Sequence, residues 1–277
     1  MCSYLRFGRL IAFVRNSWVG NIELHIPSGF SVTVPRTRGA LERQIDSRTL
    51  QSWRLLEQAL ADCKNYSASL GHPSDLAIEL LPPVFPGAAL RLEVRSNRRF
   101  QYYFIYAQPG GGGIYGRRKI VISKTDRYAF HYLLIADPIP QGVKIADHLL
   151  KRAVDFYKKI CVTRIELVAS LDRGGALWPK FGFIPKTPSD WQNCKNQILQ
   201  NLAGLDPAVQ EKWADTVTAI TAMDSPRSIW LLSEIREEIQ GVKLGDRLLA
   251  GTRWPGVLNF ADARACQILE ARLKAVP

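Results

Sequence analysis

Residues Pro140–Phe183 read PQGVKIADHLLKRAVDFYKKICVTRIELVASLDRGGALWPKFGF, and the reading of the fold turns on them. Within this stretch Ile145, Leu149, Leu150, Val154 and Tyr157 recur at helical spacing, which predicts a helix reaching about Lys159. Arg164 to Ala169 is short and apolar, the pattern of a buried strand. Upstream, Tyr128 to Ala136 reads as a further strand, stopped by Pro138 and Pro140. Strand, helix and strand at this spacing predict a βαβ crossover and a parallel pair. A strand that passes through a proline-rich turn into a helix gathers free backbone N–H groups and the positive end of the helix dipole at one place, which suits a pyrophosphate. The next strand and the aromatic turn ending in Gly182-Phe183 would complete a cleft.

Before this stretch, Leu90 to Arg95, Phe100 to Tyr106 and Lys119 to Ser123 are rich in β-formers and predict strands, with Gly110 to Gly113 as a flexible loop. That loop lacks the GK[ST] ending of a P-loop. Further back, Arg6 to Arg15, Ile22 to Ile26 and Phe30 to Val34 look like strands, and a helix N-capped by Ser47 extends toward Gly71. Pro82, Pro83, Pro86 and Gly87 mark a boundary. Downstream, helices are expected over Ser189 to Leu202, Pro207 to Met223, Pro226 to Ile239 and Ala261 to Ala275. Asp206 and Ser225 each stand before a proline suited to a first helical position, and Gly251 to Asn259 is expected to be a loop holding Trp254. Three segments result: an N-terminal strand and helix segment (1–87), a core (88–186) and a helical C-terminal extension (187–277).

Composition sets the outer limits. The chain has 277 residues, 47% hydrophobic and 22% charged, which excludes a disordered, collagenous or coiled-coil protein. No apolar run approaches a membrane span, and Ile11 to Val14 is too short for a secretory signal, so the expectation is a soluble cytoplasmic protein without a membrane partner. Five scattered cysteines with no CxxC pair indicate neither a disulfide framework nor a metal site. Net charge is +12 and is concentrated in residues 88–186, where 18 basic residues face 7 acidic ones. Such a field attracts a polyanion, a phosphorylated cofactor or an acidic surface.

The stretch quoted at the outset resembles the GCN5-related N-acetyltransferases, whose acetyl-CoA signature is Q/R-x-x-G-x-G/A at a helix start. Gln141, Gly142, Val143, Lys144, Ile145 and Ala146 occupy the six positions, followed by the apolar pair Leu149 and Leu150. Arg164-Ile165-Glu166-Leu167-Val168-Ala169 looks like the strand after that helix, and Gly174 to Phe183 resembles the closing segment, especially a variant with a GG-x-x-W core found in bacterial multidomain and phage-associated proteins. The resemblance spans roughly Leu90 to Ile184. It implies an α+β fold with a mixed sheet, a βαβ acyl-CoA-binding core and acetyl-CoA as cofactor. Two positions depart from the pattern. Lys144 replaces the central glycine, where its side chain either obstructs the pyrophosphate or pairs with it. Trp178 stands where many members place a tyrosine acid, and an indole N–H donates a hydrogen bond without releasing its proton.

The activity so implied is attack of a primary amine on the acetyl thioester, with backbone at Ile135 and Ala136 beside the cofactor and an N–H near Ile135 polarising the carbonyl. His131 and Asp137 are the candidate bases, with Glu93 and Tyr132 behind them. The acceptor could be an anionic macromolecule such as aminoacyl-tRNA, or a protein amine, and the helical tail could bind a protein partner. Two other classes compete. One is a non-catalytic acyl-CoA-binding or scaffold protein, as Lys144 and Trp178 permit. The other is a nucleic-acid-binding protein whose face is built from basic residues such as Arg117, Arg118, Lys119 and Arg127, interleaved with tyrosines including Tyr102 and Tyr103.

Overall fold

Strand alternation in the first half of the protein is set by four consecutive antiparallel strands. These are β1 (Ala89–Ser96), β2 (Arg99–Ala107), β3 (Gly113–Ile122) and β4 (Arg127–Ala136). They follow α1 (Ser47–Ala61) and precede α2 (Ile145–Lys159). The computed structural model describes residues 47–61, 89–96, 99–107, 113–123, 125–136, 145–169 and 174–274, with backbone only for parts of the strands and helix starts. The expected strands before Ser47, the helix beyond Ala61 and the turn Asp137–Lys144 lie outside the described residues. The chain divides into two units, residues 1–162 and 163–277.

In the first unit one face of the sheet is inward. Phe100 and Tyr102 of β2, Ile120 and Ile122 of β3 and Ala129 of β4 are all buried. The helix α2 buries Leu149, Leu150, Ala153, Val154, Phe156 and Tyr157, the 3.6-residue stripe that its sequence predicts. It ends where Cys161 adopts φ 55°, with Val162 N donating to Tyr157 O at 2.9 Å. Trp53, Leu56 and Leu60 are among the buried side chains of α1, which packs beside β1. β3 begins six residues earlier than its β-former content indicates, at Gly113, so that glycine belongs to a strand and not to a loop. Its poor strand propensity is overridden by pairing on both sides: Gly116 stands opposite Phe104 of β2 and Leu134 of β4.

The second unit starts with β5 (Arg164–Ala169) and continues through the short α3 (Gly174–Leu177), a 3-10 turn at Trp178–Phe181 and β6 (Ile184–Pro185). Two long helices follow, α4 (Pro188–Ala203) and α5 (Pro207–Ala222). The first is capped reciprocally, since Thr187 Oγ1 accepts from Asp190 N at 3.1 Å and Asp190 Oδ2 accepts from Thr187 N at 3.0 Å. The second has Asp206 as its cap, accepting from Ala208 N at 2.9 Å, with Pro207 at the first helical position. The remaining elements are α6 (Ser228–Ser233), β7 (Glu238–Ile239), β8 (Val242–Lys243), α7 (Leu244–Leu249), β9 (Trp254–Asn259) and α8 (Ala263–Lys274).

Three expectations are corrected in this unit. The helix expected over Pro226 to Ile239 is only α6. Ser225 and Pro226 form a turn ahead of it, and the chain then makes a β7–β8 hairpin around Gln240 and Gly241, both at positive φ. Hence the C-terminal extension is not purely helical. Gly251 to Asn259 is not a loop either. From Trp254 onward it is β9, antiparallel to β5 and β6, with Gly256 opposite Leu167 and Pro185. Pro255 lacks a donor, but its carbonyl accepts from Lys186 N at 2.8 Å, so the strand tolerates it. The chain is α+β. No helix among the described residues is long and apolar enough to cross a membrane.

Candidate functional site

The register of the first sheet aligns Tyr102, Arg118 and His131 across three strands, since Tyr102 pairs with Arg118 and Arg118 with His131. All three side chains turn inward, at 1%, 3% and 4% exposure. From α2, Tyr157 closes the row. Its hydroxyl lies 2.7 Å from the Tyr102 hydroxyl and 2.9 Å from His131 Nε2. The Nδ1 atom of His131 is buried with no hydrogen-bond partner among the described residues.

Burial governs the charges in this row. Desolvation pushes the Tyr102 hydroxyl up to about 12 and the Tyr157 hydroxyl well above its usual 10, against the pull of Arg118. Desolvation also holds His131 well below 6.5, and the Arg118 guanidinium adds to the same effect. Burial presses Arg118 itself downward, with the two tyrosines opposing. The imidazole is therefore neutral at physiological pH. If Tyr157 donates to Nε2, the ring proton sits on Nδ1; if Nε2 donates to Tyr157, Nδ1 carries a bare lone pair, the form a proton acceptor requires.

The other site residues read from sequence are spread over the chain. Ile135 and Ala136 end β4, and Ile145 and Ala146 open α2. Asp137, Gln141, Gly142, Val143 and Lys144 lie outside the described residues. The strand thus stops at Ala136 and the helix begins inside the hexad, which puts its last two residues in the first turn of a 15-residue helix with unshared N–H groups. Asp147 of that turn is buried, so its carboxylate is not laid out on the surface with those amides.

Trp178 belongs to the second unit, and much of the C-terminal extension is built around its turn. A side chain on Gly175 would strike the Leu249 carbonyl oxygen at 2.6 Å, and one on Gly182, at φ 85°, would overlap the Ala265 carbonyl oxygen. Trp230 Nε1 donates to Phe183 O at 3.2 Å, Lys180 pairs with Asp246, and the Arg272 guanidinium sits 5.3 Å from the Phe181 ring. The Trp178 ring meets Phe183 edge-on at 5.2 Å. Nearby on β5, Glu166 is buried and accepts from Arg164 Nε at 2.7 Å and Lys186 Nζ at 2.8 Å. Desolvation alone would raise its carboxyl, but these two cations bring it below the usual carboxylate value. The paired carboxylate ties β5 to Lys186, the residue after β6.

No His, Cys, Asp and Glu cluster among the described residues is arranged to hold a metal. Sequence reasoning singled out His131 but missed Tyr157 and Tyr102 as its partners.

No protein-family model matches this chain, and no curated protein matches it. Two solved structures are similar to it. The crystal structure of the NatC complex bound to Gag peptide and CoA contains a chain 17% identical, with a TM-score of 0.25 over 51% of this chain and 80% of that one. A spermidine N-acetyltransferase SpeG chimera, K23-Y30, from Vibrio cholerae and hSSAT is 18% identical, with a TM-score of 0.25 over 50% of this chain and 79% of the other.

Proposed function

We propose that the protein transfers an acetyl group from acetyl-CoA to a primary amine. The observation that carries this reading is the junction of β4 with α2. β4 ends at Ala136 and α2 begins at Ile145, so the last two residues of the hexad Gln141–Ala146 open a helix whose first backbone N–H groups lack intrahelical partners and suit an anion. The order of elements after it, strand Arg164–Ala169 and then the GGALWPKFGF turn, agrees with the resemblance in sequence.

In this reading the amides from Gly142 to Ala146 hold the diphosphate, and the Lys144 ammonium pairs with it. The cofactor supplies the acetyl group as an activated thioester. The backbone N–H of Ile135 donates to the thioester carbonyl oxygen, where negative charge develops during attack. His131, neutral and with Nε2 tied to Tyr157, takes the proton of the acceptor amine on Nδ1, with Asp137 at the strand end as the alternative acceptor. Burial, with Arg118 adding to it, disfavours the imidazolium, so His131 would hand that proton to the CoA thiolate released as the C–N bond forms and the C–S bond breaks. Trp178 donates a hydrogen bond through its indole N–H and contributes no proton. The acceptor class suggested by the charge of residues 88–186 is an amine on an anionic macromolecule.

Calorimetric titration with acetyl-CoA tests the reading directly: binding is expected, and a flat titration at millimolar cofactor would overturn it. Release of free thiol with a pool of small amines, peptides and total tRNA then tests turnover. The poor proton chemistry of Trp178 and the burial of His131 favour one second reading, a non-catalytic acyl-CoA-binding protein. Binding without any thiol release would select it.

A further inference from the structure

The outward face of the first sheet carries a second surface, distinct from the buried row behind it. Along β4, Tyr128, Phe130 and Tyr132 alternate with the inward residues Ala129 and His131. Phe130 and Tyr132 stand 4.6 Å apart between ring centroids. Tyr132 is the extra residue of a bulge, because Arg117 pairs with Leu133 and Arg118 with His131, and it is 41% exposed. Lys119 of β3 reaches over this row, its ammonium 5.5, 5.4 and 5.6 Å from the rings of Tyr128, Phe130 and Tyr132. The Arg117 guanidinium lies 4.6 Å from the Tyr132 centroid and donates to Gln101 Oε1 at 3.3 Å. Arg99, paired with Val121 at one end, is exposed, while Val121 and Gln101 on the same face are buried, so the accessible part of the face is the row of Tyr132, Phe130 and Tyr128 with Lys119 and Arg117.

Residues 89–136 hold nine basic and two acidic residues, the buried Arg118 among the basic ones, so the field around this sheet is positive. We propose that the outward face of β2 to β4 binds single-stranded nucleic acid. The occupant is argued from chemistry. Rings in a row on a sheet offer stacking partners to unpaired bases, while cations interleaved with them can pair with the phosphates of the same strand. A duplex conceals its base faces and uses only the cations. A lipid surface would call for exposed aliphatic side chains, and this face presents rings and charged groups. An acidic peptide would exploit Lys119 and Arg117 but has no use for three rings in line. Arg118 and Tyr102, which the sequence groups with this face, belong to the buried row and are excluded from it. The surface does not depend on acetyl transfer.

Fluorescence anisotropy of the full chain with a labelled, mixed-sequence single-stranded RNA of about twelve nucleotides, without acetyl-CoA, tests this. Binding is expected at low salt, weakening steeply as salt rises. Tyr132→Ala, an exposed site whose variant should keep the wild-type melting curve, is expected to weaken binding about tenfold, in line with loss of one stacked base. Lys119→Glu is expected to weaken it further and to flatten the salt slope. The same sequence as a duplex should bind at least about tenfold more weakly. Absence of binding at micromolar protein in low salt would overturn the proposal. So would equal binding of duplex, heparin or polyglutamate with no effect of Tyr132→Ala, an outcome that leaves a surface acting through charge alone.

Discussion

His131 occupies a position where two strands and a helix converge, and its protonation is tied to the folded state. Burial, reinforced by Arg118, keeps its folded value well below 6.5, whereas the unfolded chain takes up the proton near 6.5. The unfolded state therefore binds more protons just below that pH, so stability is complete above about pH 6.5 and falls as pH drops, by at most about 1.4 kcal/mol per unit. Urea unfolding followed at several pH values between 7.5 and 5 should show this slope, and His131→Gln should remove that part of it. An equal slope in the variant would place its origin elsewhere. Tyr157→Phe strips a hydroxyl that serves two buried groups, Tyr102 and His131 Nε2. A loss of about 2 kcal/mol in the same assay is expected, since each stranded group costs about 1–3 kcal/mol. The sequence shows His131 as an isolated histidine on a strand. Its partner lies 26 residues away on a helix, and no spacing rule links a period of two to a period of 3.6. Arg118 and Tyr102 were grouped with an outward basic face for a related reason. Which face of a strand a residue takes depends on register, and Arg117-Arg118-Lys119 gives no alternation from which to read it.

Helix and strand ends carry the next set of expectations. Cys161 closes α2 in the left-handed region, where a Cβ costs about 1 kcal/mol that glycine avoids. Cys161→Gly is therefore expected to stabilise the first unit by about 0.5–1 kcal/mol in thermal unfolding. Gly182 presents the opposite case. It combines φ 85° with a neighbouring carbonyl where a methyl would sit, so Gly182→Ala should cost more than about 2 kcal/mol, read as a lowered melting temperature of the second unit. Legibility follows the strength of the local signal. The α2 helix was readable from Ile145 to Lys159 because five apolar residues hold one stripe, and β5 because its run is apolar and short. β9 was unreadable because Pro255 and Gly256, both poor strand formers, sit at its start, and only pairing with β5 and β6 makes the segment a strand. The helix expected over Pro226 to Ile239 failed for the reverse reason. Its first half has the apolar residues, but Gln240-Gly241 favours a tight turn that draws Glu238 and Ile239 into a hairpin.

Across the whole molecule the charge is uneven, and its excess over residues 88–186 includes Lys144, the residue proposed to pair with the cofactor diphosphate. A ligand that binds only the folded chain stabilises it by about 2.7 kcal/mol at a hundredfold excess over Kd, so acetyl-CoA should raise the melting temperature measurably. At Lys144 obstruction and pairing predict opposite outcomes. If the side chain obstructs, Lys144→Gly tightens binding; if the ammonium pairs with phosphate, Lys144→Gly weakens it and Lys144→Glu weakens it more. Pairing is the expected outcome, because a charge-assisted contact is worth about 1.5–3 kcal/mol while a flexible lysine stem can move aside from the backbone amides. Calorimetry with acetyl-CoA at low and high salt decides between them. A tenfold or greater loss in Lys144→Glu, with a flatter salt dependence than the unaltered chain, is expected; tighter binding by Lys144→Gly would reverse the assignment of that residue while leaving the helix amides as the diphosphate site.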